Sequence, residues 1–207
     1  ADIERLAALW TRFDEASEVS RLNAAVGRRM SVTADTRRLA QRALLGWQLS
    51  GGRFDPFQVD RMQVVGYGQD FDALATVDRP TKLTVRRTRP PVVIDPRRNT
   101  VLVTAGNGLD SGGIGKGFAA DVIAEELVEG GATGALVNVG GELRVAGRPH
   151  DADAWRVGIA DPRPGASGHV SCVRLASGGV ATALLQGALE QGLINAAAVC
   201  RVNPTDA

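Results

Sequence analysis

The chain predicts an α+β fold, with mainly antiparallel sheets and flanking helices. Three observations predict it. Apolar residues recur at helical spacing over the first fifty or so positions, the pattern changes to short apolar runs from Val92 onward, and those runs are joined by tight turns and glycine pairs. Alternating βαβ units would instead place a helix between most strands, so antiparallel pairing fits better.

Ile3, Leu6, Ala7, Trp10 and Phe13 follow i, i+3, i+4, i+7 spacing and put one core-facing stripe on a helix over roughly residues 2–14. Ser17 is placed to cap a short second helix that turns Val19 and Leu22 inward. A third helix starts near Thr33, carries Leu39, Ala43, Leu44 and Trp47, and stops at Gly51-Gly52, where glycine readily takes the positive φ of a helix end. Val92 to Ile94 and Thr100 to Val103 flank Asp95-Pro-Arg-Arg-Asn99, a hairpin signal. A helix from Phe118 to Glu129 follows, carrying Ile123 and Leu127, and ends at Gly130-Gly131. Ala135 to Val139, Glu142 to Val145, Trp155 to Ile159 and His169 to Leu175 continue the strand series. No internal repeat or linker divides the chain, and 207 residues suit one domain, with or without two lobes.

Composition removes several function classes. The formal net charge is +1, from 24 basic and 23 acidic residues, so no general attraction to nucleic acid is expected. No apolar run has membrane-spanning length, and membrane association is not evident. The sequence opens directly on an amphipathic helix with no visible leader; a cytoplasmic and an exported protein are both compatible with it. The two cysteines, Cys172 and Cys200, lie far apart in strand-like stretches and read as buried thiols. With two histidines and no CxxC, a Cys/His zinc site is not supported.

The most informative stretch is Leu109-Asp-Ser-Gly-Gly-Ile-Gly-Lys-Gly-Phe-Ala-Ala-Asp121. Glycines leading into a helix let backbone N–H groups and the positive end of the helix dipole face one anion, and Lys116 adds a formal charge. The P-loop pattern is excluded because Gly117-Phe118 follows the lysine where Ser or Thr is required. The dinucleotide fingerprint fails too, since a hairpin precedes the glycines. Tight packing and ligand binding remain the two readings of such a turn; the lysine favours binding. Val137-Asn-Val-Gly-Gly-Glu142 is either a glycine hairpin or a place where a flat ring or diphosphate approaches the backbone. Asp55 and Asp60 around Pro56 read as a turn in preference to a carboxylate pair, and no GxSxG elbow or triad base is present.

Six strings in order carry a resemblance. They are Phe13-Asp-Glu-Ala-Ser-Glu-Val-Ser-Arg-Leu-Asn23, Gly52-Arg-Phe-Asp-Pro56, Gly66-Tyr67, Asp110 to Asp121, Asn138-Val-Gly-Gly-Glu142 and Ser177-Gly-Gly-Val-Ala-Thr182. Together they resemble the ApbE family of FAD:protein FMN transferases. The resemblance implies a flavin-binding fold with FAD across a cleft between two lobes. It also implies a magnesium-dependent transfer of FMN from FAD to a threonine of a target protein, with release of AMP. It further implies that Asn23 and Tyr67 help hold the flavin, that Lys116 and Asp121 belong to the nucleotide-binding loop and helix, and that Gly140, Gly141 and Glu142 line the cleft. Gly113 and Thr182 are the positions it offers to Mg²⁺; no catalytic residue is assigned. A diphosphate suits a glycine-rich helix start with a lysine, and magnesium takes oxygen ligands, so the lack of a Cys/His cluster is no objection.

The sequence also departs from the family pattern. A Met-Gly-Thr segment before the first helix is absent, as are a His-x-x-Asp-Pro-x-x-Gly string and the Asp expected four residues before a metal-binding threonine, a position held here by Gly178. Loss of a catalytic insert and residues missing from the sequence near 182–183 compete as explanations. The family-like helix from Ala181 to Gly187 favours the second, within one domain over residues 1–207. A catalytically inactive FAD-binding protein and an FAD pyrophosphatase giving FMN and AMP are the alternatives to transfer.

Overall fold

A computed structural model describes residues 2–64, 90–161 and 167–181. The chain forms two compact units, Ala1–Gly115 and Lys116–Ala207. Helices and antiparallel sheets make up both, as the sequence predicts.

In the first unit, α1 (Asp2–Trp10), α2 (Glu18–Ala24) and α3 (Ala34–Leu49) accompany a sheet of β1 (Arg29–Ser31), β2 (Val92–Asp95) and β3 (Thr100–Val103) in the order β1-β3-β2. A short helix, α4 (Val59–Val64), was not expected. Helix α1 is shorter than the predicted 2–14. Past Trp10 the side chains of Thr11 and Asp14 accept from the backbone N–H groups of Phe13 and Ala16, which diverts the chain into turns. The expected stripe therefore narrows to Leu6 and Trp10, and Ile3 and Phe13 are exposed. Ser17 caps α2 by accepting from Ser20 N–H, with Val19 and Leu22 fully buried.

Helix α3 starts and stops where the sequence places it. Thr33 accepts from Thr36 N–H, and buried Glu18 takes both the N–H and the hydroxyl of Thr33, tying the α3 cap to the first turn of α2. At the far end Gly51 N–H bonds Gln48 C=O and Gly52 N–H bonds Trp47 C=O, with φ of 60° and 81° at the two glycines. This is the Schellman pattern. Leu39, Ala40 and Ala43 face β2 and β3. The β2–β3 hairpin turns on Asp95, whose Oδ1 accepts from Arg97 and Arg98 N–H, and on Asn99 at φ 49°.

The second unit holds α5 (Gly115–Glu129, whose first residue closes the preceding unit), β4 (Gly134–Val139), β5 (Glu142–Gly147), β6 (Trp155–Ala160), β7 (His169–Leu175) and β8 (Gly178–Ala181). Its sheets are β4-β5-β8 and β6-β7, all antiparallel. Alternate residues of β5 to β8, namely Leu143, Val145, Val157, Ile159, Val173, Leu175 and Val180, form one buried cluster capped by Trp155.

Two expectations fail here. Helix α5 buries Phe118, Ala119, Ala120, Val122 and Ala124, whereas Leu127 is 47% exposed. Its own alanines and other apolar residues are spread around the helix, so its apolar pattern has no strong phase to fix the inward face. Cys172 is exposed, because period-2 alternation in β7 turns Val173 and Leu175 inward and Cys172 outward. Cys200 lies outside the described residues.

Candidate functional site

The glycine-rich stretch is a turn held by its own residues before it becomes a helix. Gly112 N–H donates to Asp110 Oδ1 (2.9 Å), and Ile114 and Gly115 N–H donate to Ser111 C=O (3.1 and 2.6 Å). These amides are therefore occupied. Among the described residues no hydrogen bond is made by the N–H groups of Lys116 and Gly117 in the first turn of α5, nor, in the first unit, by that of Gly113.

The glycines themselves are explained mostly by close packing. A Cβ on Gly113 would stand 3.1 Å from Phe54 Cε2, one on Gly112 3.1 Å from Asp110 Oδ1, and one on Gly115 3.3 Å from Ser111 Cβ. Phe54 is the central piece, since its ring also lies 3.0 Å from the position of a Cβ on Gly46 in α3. A flat ring thus sits between a helix and the loop, and a Cβ at either neighbour would press on it by a few tenths of an ångström. Packing and binding, the two readings of the turn, are compatible: side-chain sites are filled, while backbone amides remain.

The base of the turn is fixed from three directions within the first unit. Asn23 donates through Nδ2 to Leu109 C=O (2.9 Å) and accepts through Oδ1 from Leu109 N–H (2.8 Å). Ser111 Oγ donates to Trp10 C=O (2.7 Å). Arg12 Nε lies 3.6 Å from Asp110 Oδ1, and its guanidinium stacks 4.3 Å from the centroid of the Phe13 ring. Asp55 and Pro56 run alongside, with Asp110 N–H donating to Pro56 C=O (2.7 Å) and Phe57 N–H to Asp55 Oδ1 (3.1 Å), the turn expected for Asp55. Having no side chain, Gly113 could offer a metal ion its carbonyl oxygen.

In the second unit, Val137-Asn-Val-Gly-Gly-Glu142 is a two-residue hairpin between β4 and β5, with Val139 opposite Glu142. Gly140 and Gly141 have φ of 58° and 91°, the positive pair that a type I′ turn needs. Asn138 Oδ1 accepts from Gly141 N–H (2.9 Å) and holds the turn closed. Lys116 crosses it, with Cδ and Nζ each 3.6 Å from the Cβ position of Gly140.

Helix α5 and strand β5 then run in step. Glu142 Oε2 lies 3.6 Å from the Cβ position of Gly117, and Arg144 Nε lies 3.4 Å from Asp121 Oδ1. Four helical residues rise about 6 Å and two strand residues about 6.7 Å, so 117 and 121 match 142 and 144. Asp121 is thus one half of an ion pair. The Arg144 Nε contact is one of charge and not an aligned hydrogen bond. Lys116, Gly140, Gly141 and Glu142 are brought together; Asn23 belongs to the other unit. Tyr67 and Thr182 lie outside the described residues. Residues 178–181 before Thr182 form strand β8, so Gly178 does not occupy one helix face with it. Among the described residues there is no group of three or more His, Cys, Asp or Glu side chains that could hold a metal ion.

Phe54 between its two glycines, the Asn23 clasp on Leu109 and the Arg144–Asp121 pair were not found from sequence. Only the Gly-Arg-Phe-Asp-Pro string hinted at Phe54.

Comparison with known proteins decides the family. The family model described as "ApbE family" matches residues 1–184. The chain belongs to the ApbE family. A second model, coenzyme F420 hydrogenase/dehydrogenase beta subunit N-term, matches residues 171–207, too little of the chain to define it. A curated FAD:protein FMN transferase of Treponema pallidum is 32% identical over 138 residues, which is 60% of this chain and 38% of that relative. The crystal structure of an ApbE protein from Thermotoga maritima matches with a TM-score of 0.67 at 25% identity, covering 86% of this chain and 58% of that one. The apo flavinyl transferase ApbE of Pseudomonas stutzeri matches with a TM-score of 0.65 at 23% identity, covering 84% and 55%, and shows the fold alone. The ApbE chain described here thus spans 38% of the curated relative and little more than half of these two solved chains.

Proposed function

We propose that this chain is the FAD-binding part of an FAD:protein FMN transferase. It would move FMN from FAD to a threonine of a target protein, with Mg²⁺, and release AMP. The observation that carries the reading is the α5 start in an ApbE family member: among the described residues the N–H groups of Lys116 and Gly117 find no hydrogen-bond partner, and the Lys116 side chain lies on the Gly140 turn.

The pyrophosphate of FAD is the group this arrangement suits. The N-terminal end of a helix carries roughly +0.5 elementary charge, and an ammonium beside it supports the anion without competing for the same amides. Gly140 and Gly141, lacking side chains, let a nucleotide approach the turn. Glu142 stands against Gly117, at the edge of the same surface. Asp121 acts through its ion pair with Arg144, keeping α5 and β5 aligned. In the transfer, the threonine hydroxyl oxygen bonds to the FMN phosphorus, the phosphoanhydride bond to AMP breaks, and the hydroxyl proton goes to a base. Charge builds on the leaving phosphate, and Lys116 is placed to offset it. Magnesium belongs to the reading with Gly113 and Thr182 as positions offered to it. Tyr67 remains a flavin contact in the reading.

The test uses the full-length protein, FAD, Mg²⁺ and a target with a verified acceptor threonine. A fluorescent, denaturation-resistant flavin band with stoichiometric AMP supports transfer, and chelation of Mg²⁺ removes both. Free FMN with AMP and no labelled protein would make the chain part of a pyrophosphatase. FAD binding with no AMP at any Mg²⁺ concentration would make it a binding protein.

A further inference from the structure

We infer that the exposed face of the β6–β7 ribbon is a docking surface for a protein partner that presents an acidic segment in extended form, with one carboxylate held between Arg156 and Arg174 and the next at His169. The surface lies entirely within the second unit and stands independently of the FAD reading. Its mark is a pair of like charges set directly opposite each other: Arg156 and Arg174 are register partners in the antiparallel ribbon.

Alternation fixes the two faces of the ribbon. Val157, Ile159, Val173 and Leu175 turn into the buried cluster, so Arg156, Gly158, Cys172 and Arg174 stand on the opposite side, all exposed. Directly opposed side chains in such a pair have Cβ atoms about 5 Å apart, and like charges at that spacing are destabilising. Little in the ribbon offsets this. Arg174 donates to Asp153 Oδ2 (2.7 Å), an ion pair exposed on both sides, whereas Arg156 makes no hydrogen bond or ion pair among the described residues. Two guanidinium forks facing each other suit a carboxylate that accepts from both. A further donor follows along the ribbon. Ser171 pairs with Ile159 and His169 with Ala160, so Val170 is an extra residue in β7. This bulge takes His169 out of strict alternation, and its ring fills the place that a Cβ on Gly158 would take. Gly158 is two residues from Arg156, which sets the imidazole about 7 Å along the strand from the arginine pair, the spacing of alternate side chains in an extended peptide. The strip is also short: Asp153 lies at the arginine end and Asp161 follows β6 at the other, so a long polyanion such as nucleic acid would meet repulsion at both ends. A flat, exposed face gives a small free anion no enclosure, and salt screens each contact, so the occupant it fits carries several carboxylates on one chain.

The probe is a fluorescein-labelled octapeptide of alternating Glu and Thr, with alternating Gln and Thr as the neutral control, titrated with the full-length protein and read by fluorescence anisotropy. The acidic peptide should bind roughly tenfold more tightly than the neutral one, should lose roughly tenfold in affinity in Arg156→Gln and in Arg174→Gln, and should cease to bind near about 1 M salt, where the Debye length is about 3 Å. His169→Ala should cost roughly threefold, and Asp153→Asn, which releases Arg174, should tighten binding by roughly the same factor. Arg156→Gln relieves the opposed charges, so its melting temperature should equal or exceed that of the wild type, which separates lost binding from lost folding. Equal affinity for the two peptides, or acidic-peptide binding that survives both arginine variants, would overturn the proposal. A melting temperature that falls in Arg156→Gln with peptide affinity unchanged would make the arginine pair structural and also overturn it. Tighter binding of a single-stranded DNA oligonucleotide, of phosphatidylserine vesicles or of inorganic phosphate, lost in Arg156→Gln, would give the strip to a different anion and overturn it as well.

Discussion

Single side chains in this protein do their work by joining segments that are distant in sequence. Thr33 is one case. Its Oγ1 caps α3 through Thr36 N–H, and its hydroxyl and N–H both serve the buried Glu18 carboxylate. Thr33→Ala should lower stability by about 3 kcal/mol, roughly 1 for the cap and about 2 for the lost bond to a charged group, read from chemical denaturation with unchanged m-value. Phe54 is another. Helix propensity alone says that Gly46→Ala should stabilise α3 by about 1 kcal/mol. The new methyl would stand 3.0 Å from the Phe54 ring, which is held on its other side by Gly113, so the expected sign is destabilising. In a Phe54→Leu background the same change should become stabilising, and a double-mutant cycle on melting temperature checks the reversal.

At the scale of elements, the β4–β5 hairpin joins local chemistry to the site. Both turn glycines have positive φ, and Lys116 rests on the first. Gly140→Ala should cost about 1–2 kcal/mol, since the added Cβ meets only ordinary contact with Lys116 and the penalty is conformational. Gly140→Asn should cost clearly less, because asparagine tolerates the left-handed region. Equal losses for the two would show that space around Lys116, and not φ, requires glycine there. The open end of the same hairpin is more demanding: a Cβ on Gly134 would stand 2.1 Å from Arg148 C=O, so Gly134→Ala must move the backbone. Sequence showed the turn end plainly, as Gly-Gly between two apolar runs. It did not show the open end, where the requirement comes from Arg148, fourteen residues on and just past the register partner Gly147.

For the molecule as a whole, the functional prediction concerns Lys116. Lys116→Met keeps the length and the apolar stem and removes the charge. FAD binding should weaken roughly thirtyfold, for about 2 kcal/mol of charge-assisted bonding, with the melting temperature of the free protein unchanged. Isothermal titration checks it, and full affinity in the variant would move the pyrophosphate away from α5. What was legible of this site was its local half. The glycine-rich run into a helix, the lysine within it, the Gly-Gly hairpin and the Ser17, Thr33 and Asp95 turns are all encoded within a few residues. Caps, positive φ and alternation are properties of short peptides, so the sequence by itself determined the α+β class, the order of its elements and most of their ends. The tertiary structure decided which amides of the turn are occupied, which face of α5 is buried, that Cys172 points outward, and that Asn23, Phe54 and Arg144 find Leu109, two glycines and Asp121. Those choices depend on the register and separation of segments brought together only by burial of a core, and no pattern within a few residues of any of them carries that distance.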